Sequence, residues 1–160
     1  MVINSDNNDD DYYLEEDYND EVYISPLDDD REKRRGETAE VFTPPELVNE
    51  ILDKLPNEVW ESDKTFCDPA AGNGNIILEV IKRKLSHGHT PTQALSTTYA
   101  VELMEDNVLE MKERVLNLFE PSMHEKLRGI INKNIVCSDA FKWDFENWTP
   151  IKSIKNKKLF

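Results

Sequence analysis

Only two cysteines occur in the 160 residues, Cys67 and Cys137. Two thiols so far apart make no disulfide framework and lack metal-ligand spacing. No run approaches the ~20 apolar residues of a membrane span. The N-terminus has neither the positive charge nor the apolar stretch of a signal peptide. Not one Lys or Arg occurs in residues 1–30, which hold 12 Asp and Glu. Basic residues are scarce overall, at 19 Lys+Arg against 33 Asp+Glu for a formal net charge of −14. Outside that block the charge nearly balances, because 19 Lys+Arg face 21 Asp+Glu in residues 31–160. An acidic chain makes a poor autonomous nucleic-acid binder, since neutralising phosphates takes a basic surface. The roughly 125 residues beyond the acidic block suffice for one buried core and leave no room for a second. The expectation is a reduced, soluble, cytoplasmic protein with one domain.

Residues 1–36 read as a disordered acidic arm. Asp9-Asp10-Asp11, Glu15-Glu16-Asp17 and Asp28-Asp29-Asp30 repel one another, and no apolar periodicity repays their ordering. Tyr12, Tyr13, Tyr18 and Tyr23 among these acids suit either a solubilising tail or an arm that docks on a basic surface. Thr43-Pro44-Pro45-Glu46 has the form of a capping box, with Thr43 as the cap. Leu47, Val48, Ile51, Leu52 and Leu55 then share one helical face up to Pro56. Thr65-Phe66-Cys67 reads as a buried strand, residues 75–85 as a helix and residues 97–102 as a second strand. Residues 106–119 follow as a helix, a shorter helix runs from near Pro121 to about Gly129, and residues 135–138 form a third strand. This alternation predicts an α/β fold, half of a doubly wound three-layer parallel sheet with right-handed crossovers. Its span is residues 37–142, and residues 143–160 form a tail whose Trp143 and Trp148 pack on the sheet edge. Cys67 and Cys137 are expected in the core.

In open α/β sheets the ligand lies off the carboxyl ends of the strands. Here Asp68, Glu102 and Asp139 stand at three successive strand ends, where they would converge on one crevice. After Asp68 comes Pro69-Ala70-Ala71-Gly72-Asn73-Gly74-Asn75, whose glycines permit a sharp turn and a close approach of ligand to main chain. A dinucleotide fingerprint would need a third small residue where Ile77 stands, and Asp68 would repel a pyrophosphate. A ligand with a cationic amine and a sulfonium fits this acidic entrance, which describes S-adenosylmethionine. Glu102 could then accept from both ribose hydroxyls. Asp139, in Ser138-Asp139-Ala140-Phe141, could accept from the adenine amino group, with Phe141 packing on the ring. His87 and His89 flank Gly88 without a third metal ligand in reach.

Phe42-Thr43-Pro44, Asp68-Pro69-Ala70-Ala71-Gly72-Asn73-Gly74, Glu102 with Asn107, and Ser138-Asp139-Ala140 resemble the ordered cofactor motifs of adenine-specific DNA methyltransferases. The likeness is to the modification subunits of restriction–modification systems and their phage-borne relatives. It covers roughly residues 37 to 142. The resemblance implies a partial Rossmann-like class I methyltransferase fold that binds S-adenosylmethionine. Thr43 would close over the methionine end, and the glycine loop with Asp68, Pro69, Ala70, Gly72, Asn73 and Gly74 would cradle it. Glu102 would hold the ribose, and Asp139, Ala140 and Phe141 would mark the adenine.

One departure is substantial. The family's Asn/Asp-Pro-Pro-aromatic string, which holds and stacks the flipped base, is absent from these residues, as are the strands beyond the third. The catalytic residues are therefore unknown. A second polypeptide would have to supply the base pocket and the DNA surface, so DNA is expected only through a protein partner, with a homo-oligomer as another possibility and no membrane involved. The other class of reading is a non-catalytic interaction protein, in which the acidic arm mimics DNA against a restriction complex or the body sequesters cofactor. A decayed remnant without a working site is the third.

Overall fold

The computed structural model describes residues 42–152. The acidic arm and the last eight residues lie outside the described residues. Helix α1 (Pro45–Asp53) begins one residue later than a Thr43 cap requires. A residue preceding proline is kept out of helical backbone, so Pro44, ahead of Pro45, is itself the extended N-cap at φ −61°, ψ 150°, and no side chain among the described residues caps the helix. The capping box expected at Thr43 is thus corrected. One does form at Thr90, where the hydroxyl accepts from the Gln93 amide and the Gln93 side chain accepts from the Thr90 amide.

Three parallel strands follow in the order β1-β2-β3: β1 (Phe66–Asp68), β2 (Thr98–Glu102) and β3 (Ile135–Cys137). Between the first two lie α2 (Asn75–Ser86) and α3 (Pro91–Ser96), and between the last two lie α4 (Glu105–Leu116) and α5 (His124–Asn134). Helix α5 runs past Gly129, where the sequence suggested a stop. Leu127 and Ile131 continue its apolar stripe into the core, and Gly129 sits on the exposed side, where a Cβ would meet nothing. No helix among the described residues is long and apolar enough to cross a membrane.

Strand register fixes which face each residue serves, because successive residues alternate sides. Phe66 pairs with Thr98, and Ala100 pairs with both Asp68 and Ile135, so these share one face. Against that face pack Ile77, Ile81, Leu95, Val108, Met111, Val115, Leu127 and Ile131, all nearly inaccessible. Each such side chain contributes about 1.5–3 kcal/mol of burial. Cys67 pairs with Tyr99 on the opposite face. There the sequence predicted a third layer of helices, and none is among the described residues.

What lies there is the C-terminal hairpin, β4 (Trp143–Asp144) antiparallel to β5 (Thr149–Pro150). The Asp144 carboxylate ties its turn by accepting from the amides of Glu146 and Asn147, both at 3.0 Å. Trp148 meets the Tyr99 ring edge-on at 4.7 Å and Trp143 at 5.3 Å, and its indole N–H donates to the Lys133 carbonyl at 2.8 Å. The tryptophans therefore cover the sheet's face, not its edge as expected. Cys67 and Cys137 are both exposed, a second correction. Cys67 points away from the helical core, and Cys137 ends a strand paired on one side only among the described residues.

Candidate functional site

The carboxyl ends of β1 and β2 put Asp68 and Glu102 on the same face, two register positions apart across neighbouring strands. Gly72 and Gly74 turn the following loop at φ +53° and +88°, a region other L-residues rarely occupy. Both glycines are also demanded by space. A Cβ on Gly74 would lie 2.3 Å from Met111 Cγ, and one on Gly72 would press at 3.1 Å on the Phe42 ring. The loop is pulled back over the sheet by the Ala71 amide, which donates to the Val101 carbonyl at 3.1 Å.

Glu102 completes the arrangement. One carboxylate oxygen accepts from the Gly72 amide at 2.8 Å and the other from the Met104 amide at 2.9 Å, and the residue is only 9% exposed. The acid of the second strand thereby fixes the loop of the first. Asp68 accepts from the Ala70 amide at 3.1 Å. Burial, reinforced by the negative charge of Glu102, pushes its carboxyl above the usual carboxylate range, against the opposing pull of that amide. A desolvated acid beside a second acid is an entrance that favours a cation.

Beside this pair opens a cavity of about 50 Å³ bounded by Phe42, Thr43, Asp68, Ala70, Ala71, Gly72, Asn73, Asn75 and Ile76. The structure thus brings together Thr43, Asp68, Ala70, Gly72 and Asn73 from the predicted set. Gly74 lies just behind the loop as the N-cap of α2, and Pro69 is exposed at its outer edge. Asp139 is not among the residues that border the cavity. It follows β3 by two residues and turns on its own segment, its carboxylate accepting from the Phe141 amide at 3.0 Å and pairing with the Lys142 ammonium at 3.1 Å. The Lys142 side chain, and then the Phe141 amide, hold its carboxyl below the usual range. Ala140 begins the short turn Ala140–Lys142, and the Phe141 ring is 94% exposed.

Sequence reasoning missed the polar brace behind the loop. Arg114 on α4 donates to the Asn73 carbonyl and to Asn75 Oδ1, both at 2.8 Å, and Asn75 Nδ2 donates to the Thr43 carbonyl at 2.8 Å. Asn73 Nδ2 reaches Glu110 at 3.1 Å. The Glu110/Arg114 spacing of four on a helix was the available signal. A second residue missed is Lys84, fully buried at the far end of the sheet, donating to the carbonyls of Lys64 and Thr97. Burial lowers its amine to about 8.

No protein-family model matches the chain, and no solved structure matches it. A stretch of 63 residues, 39% of this chain, is 33% identical to the type II methyltransferase M.VspI of Vibrio sp. (strain 343). The matched stretch amounts to 14% of that protein's length. The kinship with a methyltransferase is distant and partial.

Proposed function

We propose that residues 42–152 form an S-adenosylmethionine-binding unit of the adenine-specific DNA methyltransferase type. The observation that carries the reading is the bond from the Gly72 amide to Glu102, which locks the glycine loop beside Asp68 and Thr43 at one cavity. The partial likeness to a type II methyltransferase supports it. The residues fit the cofactor chemically. Asp68, raised by desolvation and by Glu102, is relieved by a cationic amine, and the cavity admits a small polar end group only. Asp68, the loop around Ala70, Gly72 and Asn73, and Thr43 would hold the amino-acid end. Glu102 keeps free lone pairs for ribose hydroxyls, and Asp139, Ala140 and Phe141 would take the adenine, with the open Phe141 ring as its platform. When bound, the cofactor supplies a methyl group already activated on a sulfonium. Positioning is then most of what the protein must contribute. The acceptor base and the DNA surface come from a second polypeptide in this reading.

Calorimetric titration of S-adenosylmethionine into the full chain tests it, beside Asp68→Asn and Glu102→Gln with their folds checked by circular dichroism. Binding that drops at least tenfold in both folded variants is the expected result. A folded wild-type chain that takes up no S-adenosylmethionine overturns the reading. The 160-residue chain alone is expected to leave an adenine-containing duplex unmethylated.

A further inference from the structure

The brace behind the loop joins three pieces of chain far apart in sequence. Arg114 is donor-only, so the atom of Asn75 that faces it at 2.8 Å must be the amide oxygen. That fixes the flip of the Asn75 amide, and its nitrogen must then point to the Thr43 carbonyl at 2.8 Å. The other guanidinium nitrogen holds the Asn73 carbonyl at 2.8 Å. Glu110 orients the arrangement from one turn earlier on α4, accepting from the Asn73 side-chain Nδ2 at 3.1 Å and standing 3.8 Å from Arg114. Thr43, Asn73 and Asn75 all border the cavity that Asp68 faces, whereas Arg114 and Glu110 stand behind it.

We propose that Arg114 and Asn75 are positioning residues for this cavity. They hold the segment carrying Thr43 against the glycine loop, so that the cavity is built before a ligand arrives. The proposal rests on the cofactor reading above for the identity of the ligand, and on the hydrogen bonds alone for the brace. Neither side chain needs to touch the ligand. Pre-organisation of this kind shows in affinity, because a loop already ordered is not ordered at the ligand's expense.

Two variants separate bracing from mere stability. Asn75→Asp keeps the acceptor for Arg114 and adds an ion pair, but replaces the donor to Thr43 with an oxygen that repels its carbonyl. Arg114→Gln removes the fork that spans Asn73 and Asn75. S-adenosylmethionine is titrated into the 160-residue wild-type chain and both variants, and amide hydrogen exchange is followed without ligand. The expected result is at least tenfold weaker binding in both variants, with the melting temperature of Asn75→Asp unchanged. Faster exchange is expected in Arg114→Gln at residues 72–76 and not in β2. Wild-type affinity in both variants overturns the proposal, as does exchange in residues 72–76 that matches the wild type. If the wild type binds no S-adenosylmethionine, the cofactor reading fails by itself. The exchange pattern then decides the brace: loss confined to residues 72–76 sustains it, and no change overturns it.

Discussion

Half-buried Asp68 and fully buried Lys84 are ionisable side chains that folding desolvates at opposite ends of the sheet. Asp68 has its carboxyl raised above 3.8 by burial first and by Glu102 as well. A carboxyl raised on folding binds protons more readily in the native state, so its contribution to stability falls as pH climbs through that window. At neutral pH the ionised Asp68 is therefore a liability to the empty fold. Asp68→Asn is expected to melt about 1–3 °C higher at pH 7 while losing S-adenosylmethionine, a trade-off that scanning calorimetry and titration together would check. If the site takes S-adenosylmethionine, binding should strengthen as pH rises through the Asp68 pKa and level off above it, since only the ionised acid attracts the amine. Lys84 runs the other way. Its amine is lowered to about 8 from 10.5 by burial, so the unfolded chain binds the extra proton between those values and stability rises with pH across that window. The gain is at most about 3 kcal/mol. A urea-melt series from pH 8 to 10.5 should show a rise in the wild type that is steeper than in Lys84→Met, where only the opposing shifts of Lys112 and of Cys67 and Cys137 remain. Asp68 was legible in the sequence because a strand and glycines frame it. Lys84 was not, since a lysine inside an amphipathic helix reads as part of its wet face until the partner carbonyls of Lys64 and Thr97 are known.

At the level of elements, the strand–helix alternation was readable from apolar periodicity, and all three strands stand where it placed them to within a residue or so. What periodicity could not give was the far side of the sheet. Strands of three to five residues carry too few positions to reveal which face is covered. Cys67 therefore read as core and turned out exposed. Helix ends failed for local reasons as well. Pro45 forced the start of α1 past Thr43, and Gly129 is tolerated because it faces water. Gly129 within α5 and Gly74 at the N-cap of α2 make opposite predictions. Gly129→Ala should stabilise by about 1 kcal/mol, as helix propensity is gained and nothing is crowded. Gly74→Ala should destabilise by roughly 3 kcal/mol or more, because its Cβ would overlap Met111 at a positive φ. Trimming Met111 to Ala in that background removes the overlap but leaves the backbone strain and a cavity, so rescue should be partial. Denaturant melts of the three variants give the comparison directly.

Across the whole molecule the candidate site is a meeting of distant segments, with Thr43, Asp68, Gly72 and Glu102 gathered by β1 and β2 and braced from α4. Motif order announced the first four, and no local pattern announced the brace, because Asn75 and Arg114 are 39 residues apart. The other whole-molecule feature is the hairpin on the second face, anchored by Trp148. Trp148→Ala should lower stability by about 2 kcal/mol and speed thiol labelling of Cys67, which shares a groove of about 270 Å³ with Tyr99, Phe145 and Trp148. The three tryptophans also divide cleanly between layers. Trp60 stacks on Phe66 at 5.0 Å within the helical side, while Trp143 and Trp148 lie with Tyr99 across the sheet. Each layer thus carries its own optical reporter. Emission from a Trp60→Phe protein, which keeps the Trp148 anchor, follows the hairpin, and the far-ultraviolet circular dichroism of the same protein follows its helices. Two superimposable transitions would mean that the hairpin folds as part of the domain; an earlier transition in emission would identify it as a flap that peels away first.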